Sequence, residues 1–264
     1  MKWYFLLFFF IMFILIVASY FLFRDTSETT DTIEPTIRFF NKANTIDLLT
    51  ADSDGYYNTF NKNDLKVRNL SDKKDYAPII KHSACNGSQT AKSKIKKAIH
   101  MICNKLDSKK LETIHGIYIH DLLSSPWNIS FVCDKKYEFG FPHTRNDVIV
   151  LQISRVLNED MNGLCRLLVH EKVHVYQKSH KKEMDQYFAD NGFQIIGEKN
   201  ITDRDKPANP DIDSNIYDHL ETKFKYYAKY RKNPTSVKDI VYSHNDAKYE
   251  HPLEKIAYDM ENIL

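Results

Sequence analysis

The sequence predicts an α+β domain: a small mixed sheet packed on one buried helix, then a mainly helical C-terminal part, all preceded by one transmembrane helix. Three observations carry that expectation. Residues 3–23 are a 21-residue run in which only Ser19 is neither apolar nor aromatic. Residues 147–151 read Asp-Val-Ile-Val-Leu, a strand pattern, and residues 162–177 soon afterwards place apolar side chains on most sides of a helix. The 16 Phe and 16 Tyr supply aromatic surface that argues against disorder. With 37 basic and 35 acidic residues the net charge is +2, so the basic excess that nucleic acid would require is missing.

Taken in order, the apolar run comes first. At 1.5 Å per residue it spans ~31 Å, about the thickness of a bilayer core. Lys2 and Arg24 flank it, and Trp3, Tyr4 and Tyr20 occupy interfacial positions. Residues 1–24 read as an uncleaved anchor, which attaches the chain to a membrane. A signal peptide is the alternative, because Val17 and Ser19 are small enough for cleavage, although its apolar core is ordinarily shorter. The flanking charges lean towards an inside N-terminus and a lumenal or extracellular domain; cleavage would make the protein secreted. Residues 25–47, rich in Thr, Asp and Glu, read as a polar stalk, which leaves 48–264 as the folded domain. Cys85, Cys103, Cys133 and Cys165 make an even number, but four cysteines allow three pairings and nothing selects among them. Glycosylation sequons begin at Asn69, Asn86, Asn128 and Asn200.

Within the domain, residues 48–82 show turn signals (Asp52-Ser53-Asp54-Gly55) and no firm element. Ile95, Ala98, Ile99 and Ile102 have helical spacing over 90–106. Residues 128–133 and 137–141 look β-rich, and 147–151 is the strongest strand. The helix over 162–177 carries Leu164, Leu167, Leu168, Val169, Val173 and Val175, which marks it as buried. Lys206-Pro207 and Asn209-Pro210-Asp211 mark a loop, residues 217–230 read as helical, and Pro252 opens a terminal helix.

The buried helix contains His170-Glu171-Lys172-Val173-His174, an H-E-x-x-H pattern. Four residues advance a helix by about 400°, so both imidazoles leave one face and reach a single zinc ion. Glu171 lies beside such an ion, placed to take a proton from a water whose pKa the metal has lowered. Zinc needs a third protein ligand. His180 stands ten residues after His170, where H-E-x-x-H-x-x-G-x-x-H would put one, but Gln177 holds the position of the required Gly. If the helix continues, His180 points ~240° away from His174. Glu254 is the better candidate: it opens Glu254-Lys255-Ile256-Ala257 in the first turn of a separate helix and shares a face with His251, Tyr258 and Glu261.

Residues 168–177 (Leu-Val-His-Glu-Lys-Val-His-Val-Tyr-Gln), with residues 251–258 (His-Pro-Leu-Glu-Lys-Ile-Ala-Tyr) further on, resemble the gluzincin branch of the zincin metallopeptidases. Its small members carry an H-E-x-x-H-x-x-Q helix and a downstream E-x-x-A helix. The resemblance covers roughly residues 140–264. It implies a zincin-like fold, zinc as cofactor held by His170, His174 and Glu254, Glu171 as general base, and a peptide or protein substrate. It also makes 147–151 the edge strand that pairs with extended substrate. Tyr258 or His251 would steady the oxyanion. His143 and Arg145 are candidates for binding, or simply exposed on a turn. The rival from another class is a non-catalytic surface or virion protein that keeps a structural or vestigial zinc site. Deformylase chemistry lacks its Cys-containing motif around Cys133 or Cys165.

Overall fold

Part of the expected stalk is folded: residues 37–39 are a strand and 42–47 begin a helix. The computed structural model describes residues 33–200, 202–243 and 249–264. The apolar run and the first part of the expected stalk lie outside those residues. Among the described residues no helix is long and apolar enough to cross a membrane.

Chain order begins with β1 (Ile37–Phe39), α1 (Lys42–Ala51), α2 (Lys62–Val67), α3 (Tyr76–Ser83), β2 (Ala84–Cys85) and the long α4 (Gln89–Asp107). Then come β3 (Thr113–Ile114), β4 (Ile117–Tyr118), α5 (Ile119–Ser124), β5 (Trp127–Val132), β6 (His143–Arg145) and β7 (Val148–Gln152). α6 (Ile153–Asn158) follows directly, then α7 (Met161–Ser179) and α8 (Lys181–Asp190). The last part holds β8 (Phe193–Glu198), β9 (Asn215–His219), β10 (Lys225–Tyr226), β11 (Ala228–Tyr230), β12 (Ile240–Tyr242) and α9 (Pro252–Glu261).

The main sheet runs β1-β5-β7-β6, with β2 also on β5. β1, β5 and β7 are parallel; β2 and β6 are antiparallel to their partners. Both faces of this mixed sheet are covered, which is why β5 and β7 are buried at every position and read as nearly unbroken apolar runs. Ile129, Phe131, Ile149 and Leu151 meet α4 and α7 through Ile95, Ile99, Leu168, Val169 and Val173. Val132 and Val150 instead join Leu49, Tyr76 and Ile80 from α1 and α3. A disulfide joins Cys85 to Cys133 across the β2–β5 end of the sheet, while Cys103 and Cys165 are buried free thiols.

Four expectations are corrected. Residues 37–47, expected as part of the stalk, are not stalk: the three residues of β1 enter the sheet by pairing with Trp127, Asn128 and Ile129. That pairing, not any local pattern, makes the segment a strand. Residues 217–230 are not helical and the C-terminal part is not mainly helical: β8, β9 and β10 form one antiparallel sheet and β11 and β12 another. Lys223 sits at φ 56°, which no helix accepts, and reverses the chain between β9 and β10. Residues 137–141 form a turn instead of a strand, with Glu138, Phe139 and Gly140 all at positive φ. Finally, β7 is an interior strand; the edge on its side of the sheet is β6.

Candidate metal centre

The centre starts from how α7 is held. Asp160 caps its first turn by accepting from the Gly163 amide at 2.7 Å. Leu164, Leu168, Val169 and Val173 fix its apolar sides in the core, and His180 ends it. Lys172, inside the motif, points away from the two His: its ammonium donates to the carbonyls of Ser125 and Pro126 and lies 5.1 Å from the Trp127 ring. The remaining face presents His170 and His174 to α9.

α9 is placed just as firmly. Its N-cap is His251, whose Nδ1 accepts from the Leu253 amide while Nε2 bonds Asp213 at 3.0 Å. Ile256, Ala257 and Met260 are buried in the shared core. Glu254, Tyr258 and Glu261 are thereby turned towards α7. The outcome is three ligand atoms at one point. His170 Nε2 and His174 Nε2 are 3.1 Å apart, and Glu254 Oε2 lies 3.5 and 3.7 Å from them. A triangle with those edges has a circumradius of about 2.0 Å, so one ion at zinc's usual ~2.0–2.1 Å reaches all three atoms and keeps a free side.

The outer partners fit the same purpose. His170 Nδ1 donates to Glu261 Oε1 at 2.7 Å, and His174 Nδ1 donates to Gln177 Oε1 at 2.9 Å. Both rings are thereby oriented with Nε2 towards the centre. Gln177 also donates to the Leu253 carbonyl at 3.1 Å and so ties the ligand helix to the start of α9. Asn209 donates to Glu254 Oε1 and to Glu250 Oε1.

Charge points the same way. Burial opposes a charged imidazole at His170, but the Glu254 and Glu261 carboxylates outweigh it and push the pKa up to about 11. Burial likewise opposes ionised Glu254, yet the two imidazoles hold its pKa well below the ordinary value. The neighbourhood wants a cation. Glu171 is only 5% exposed, and its Oε2 has no hydrogen-bond partner among the described residues. Burial, reinforced by Asp211, raises its pKa well above the usual carboxylate range. A divalent ion next to it would remove that penalty.

These groups open on a cleft of about 620 Å³ lined by His170, Glu171, Glu254, Tyr258 and Glu261 and by the 207–211 loop. The Tyr258 ring is 4.7 Å from that of His170, and its hydroxyl has no hydrogen bond among the described residues. Burial, and then Glu254, push its pKa up to about 12, so the phenol keeps its proton near neutrality.

Other expected residues lie elsewhere. His180 stacks on Tyr176 at 3.9 Å and takes no part in the cluster of ligand atoms. His251 is 1% exposed and occupied by its cap and by Asp213, so it is a positioning residue and not an oxyanion donor. His143 lines the cleft but is buried between Tyr137 and the Phe141 carbonyl, and Arg145 is buried in ion pairs with Asp52 and Asp54. Neither sits exposed on a turn. At the edge strand, Thr144 donates through its amide to Asp211 and accepts at its carbonyl from Lys178. The outward groups that would pair with an extended peptide are thus taken. Asn209, Asp211 and Glu250 escape sequence reasoning because they form a turn-rich loop and an isolated Glu, whose only signal is nearness in space. No family model, curated protein or solved structure matches this chain.

Proposed function

We propose that this chain is a zinc-dependent metallopeptidase, held at a membrane by residues 1–24. One observation carries the reading: two His from α7 and a Glu from α9 surround a point about 2.0 Å from each ligand atom, the zinc distance, beside a buried Glu with a free oxygen on an open cleft. When bound, zinc supplies Lewis acidity, which polarises a carbonyl oxygen and makes water acidic enough to ionise near neutral pH. Glu171 takes the water proton on its unpartnered oxygen and passes it to the leaving amine. The Tyr258 hydroxyl, protonated and free in the cleft, donates to the developing oxyanion. Glu261 and Gln177 hold the rings in register throughout. The Cys85–Cys133 disulfide supports a lumenal or extracellular domain, since such bonds persist in oxidising compartments.

The test is metal content with turnover. Purified protein should hold about one zinc per chain and cleave an unfolded protein, as a single His2Glu centre implies. Glu171→Gln should retain the zinc and lose at least roughly a hundredfold in kcat, the loss expected without a general base. A metal-loaded wild type that cleaves nothing would leave a structural zinc site and no peptidase.

A further inference from the structure

We infer that Arg166 makes this cleft selective for substrates that carry a carboxylate near the cleaved bond, an inference that rests on the peptidase reading. Arg166 is four residues before His170 on α7, so the two side chains share a face one turn, ~6 Å, apart. It is exposed and lines the same cleft as His170, Glu171 and Tyr258.

What distinguishes Arg166 is that it has no ion-pair or hydrogen-bond partner among the described residues. Glu254 is committed to both imidazoles, Glu261 to His170 and Glu250 to Asn209, while Glu171, whose Oε2 is free, is buried beside the candidate ion position. Glu159 lies 4.0 Å from Arg155 and is tucked against Gly163, where a Cβ would meet its Oε1 at 2.4 Å. Glycine in this first turn of α7 therefore makes room for the Glu159 side chain at the α6–α7 corner. The other cleft cations are engaged too, Arg68 with Glu138 and Lys238 over the Phe141 ring at 4.6 Å. Arg166 has neither a carboxylate nor a ring against it among the described residues. A planar guanidinium, one turn from the reaction centre, fits a carboxylate with two parallel hydrogen bonds. An extended peptide advances ~3.3 Å per residue, so that carboxylate belongs to a residue about two positions from the scissile bond. It is either an Asp or Glu side chain or the peptide's own C-terminus.

The experiment uses the full-length chain loaded with zinc. It compares peptides that carry Glu, Gln or Lys two positions either side of the cleaved bond, each as free acid and as C-terminal amide. The wild type should cleave the carboxylate-bearing peptides roughly 10–100-fold more efficiently than the neutral ones, the value of one hydrogen-bonded charge. A preference that follows Glu assigns the side chain, and one that follows the free acid assigns the terminus. Arg166→Ala should erase the preference, Arg166→Lys should restore part of it, and Arg166→Glu should turn it towards Lys. Zinc content equal to wild type certifies that each variant is folded. Cleavage with no carboxylate preference, or a preference that survives Arg166→Glu, overturns this inference and leaves the peptidase reading standing. A zinc-loaded wild type that cleaves none of the peptides overturns both.

Discussion

Gln177 does two jobs with one amide. Its carbonyl oxygen orients His174, and its NH2 reaches the Leu253 carbonyl, the residue before Glu254. An ordinary core residue there would leave His174 Nδ1 buried without an acceptor and let the two ligand helices drift. Gln177→Ala should therefore weaken zinc binding by roughly 10–100-fold, the usual cost of losing an outer partner of a ligand. Chelator competition measures it, and an unchanged affinity would show that packing alone orients His174. Glu261→Gln tests the other ring through a softer change, because an amide oxygen still accepts from His170 Nδ1 but without the charge. At this scale the candidate centre was partly legible: His170 and His174 are brought together by helical geometry, because i and i+4 share a face in any α-helix. Glu254 was legible only jointly with them, since a Glu in a first turn is common. The Asn209 and Asp211 contributions were not, because nothing local distinguishes a loop that returns to the site from one that does not.

Among elements, the helices announced themselves and the strands largely did not. α4 shows its apolar face in Ile95, Ile99 and Ile102, α7 is apolar nearly all round, and α9 starts at a Pro. Each signal is contained in the segment itself. β1 has three residues and becomes a strand only because Trp127, Asn128 and Ile129 stand opposite, a pairing some ninety residues distant that no local pattern encodes. β9 and β10 misled for a related reason: the reversal at Lys223 rests on a left-handed residue with no Gly to mark it. The start of α9 is the element on which the site depends most. His251 caps it and bonds Asp213, which fixes where the first turn, and so Glu254, begins. His251→Ala removes the cap and leaves the Leu253 amide without its acceptor. The expected cost is about 1–2 kcal/mol of stability with a measurable loss of zinc affinity. His251→Asn, which also caps, should recover most of both in thermal melts and zinc titrations. Loss of activity with zinc affinity intact would instead argue that His251 acts on substrate.

Across the whole molecule, the N-terminal helices brace the cleft from behind. Asp64 of α2 accepts from the Ala208 amide and from the Tyr230 hydroxyl, and Asn61 donates to the Asp203 and Lys206 carbonyls. The cleft loop is thus tied to residues about 140 positions earlier. Arg68, one turn on from Asp64, donates to both oxygens of Glu138 at 2.8 Å, and the Tyr76 hydroxyl donates to the same carboxylate. Three consecutive positive-φ residues, Glu138 to Gly140, put that carboxylate where the guanidinium can reach it. Burial alone would raise the Glu138 pKa, but the Arg68 charge and hydrogen bonds hold it at about 2. Because the folded value lies below the ~4.3 of an unfolded Glu, the pair's contribution is fully present above about pH 4.5 and fades as pH falls towards 2. A gap of that size corresponds to on the order of 3 kcal/mol, with buried Arg68 left to its 3.4 Å contact with Asp64 once Glu138 is protonated. Denaturant unfolding between pH 6 and 2.5 should show stability dropping across this window. Glu138→Gln should be less stable at pH 6 and flatter below it, since its side chain has no proton to gain. A variant with the wild-type acid slope would mean that other carboxylates govern the transition, and that the brace between α2 and the cleft is held by Asp64 and Asn61 without help from the Arg68–Glu138 pair.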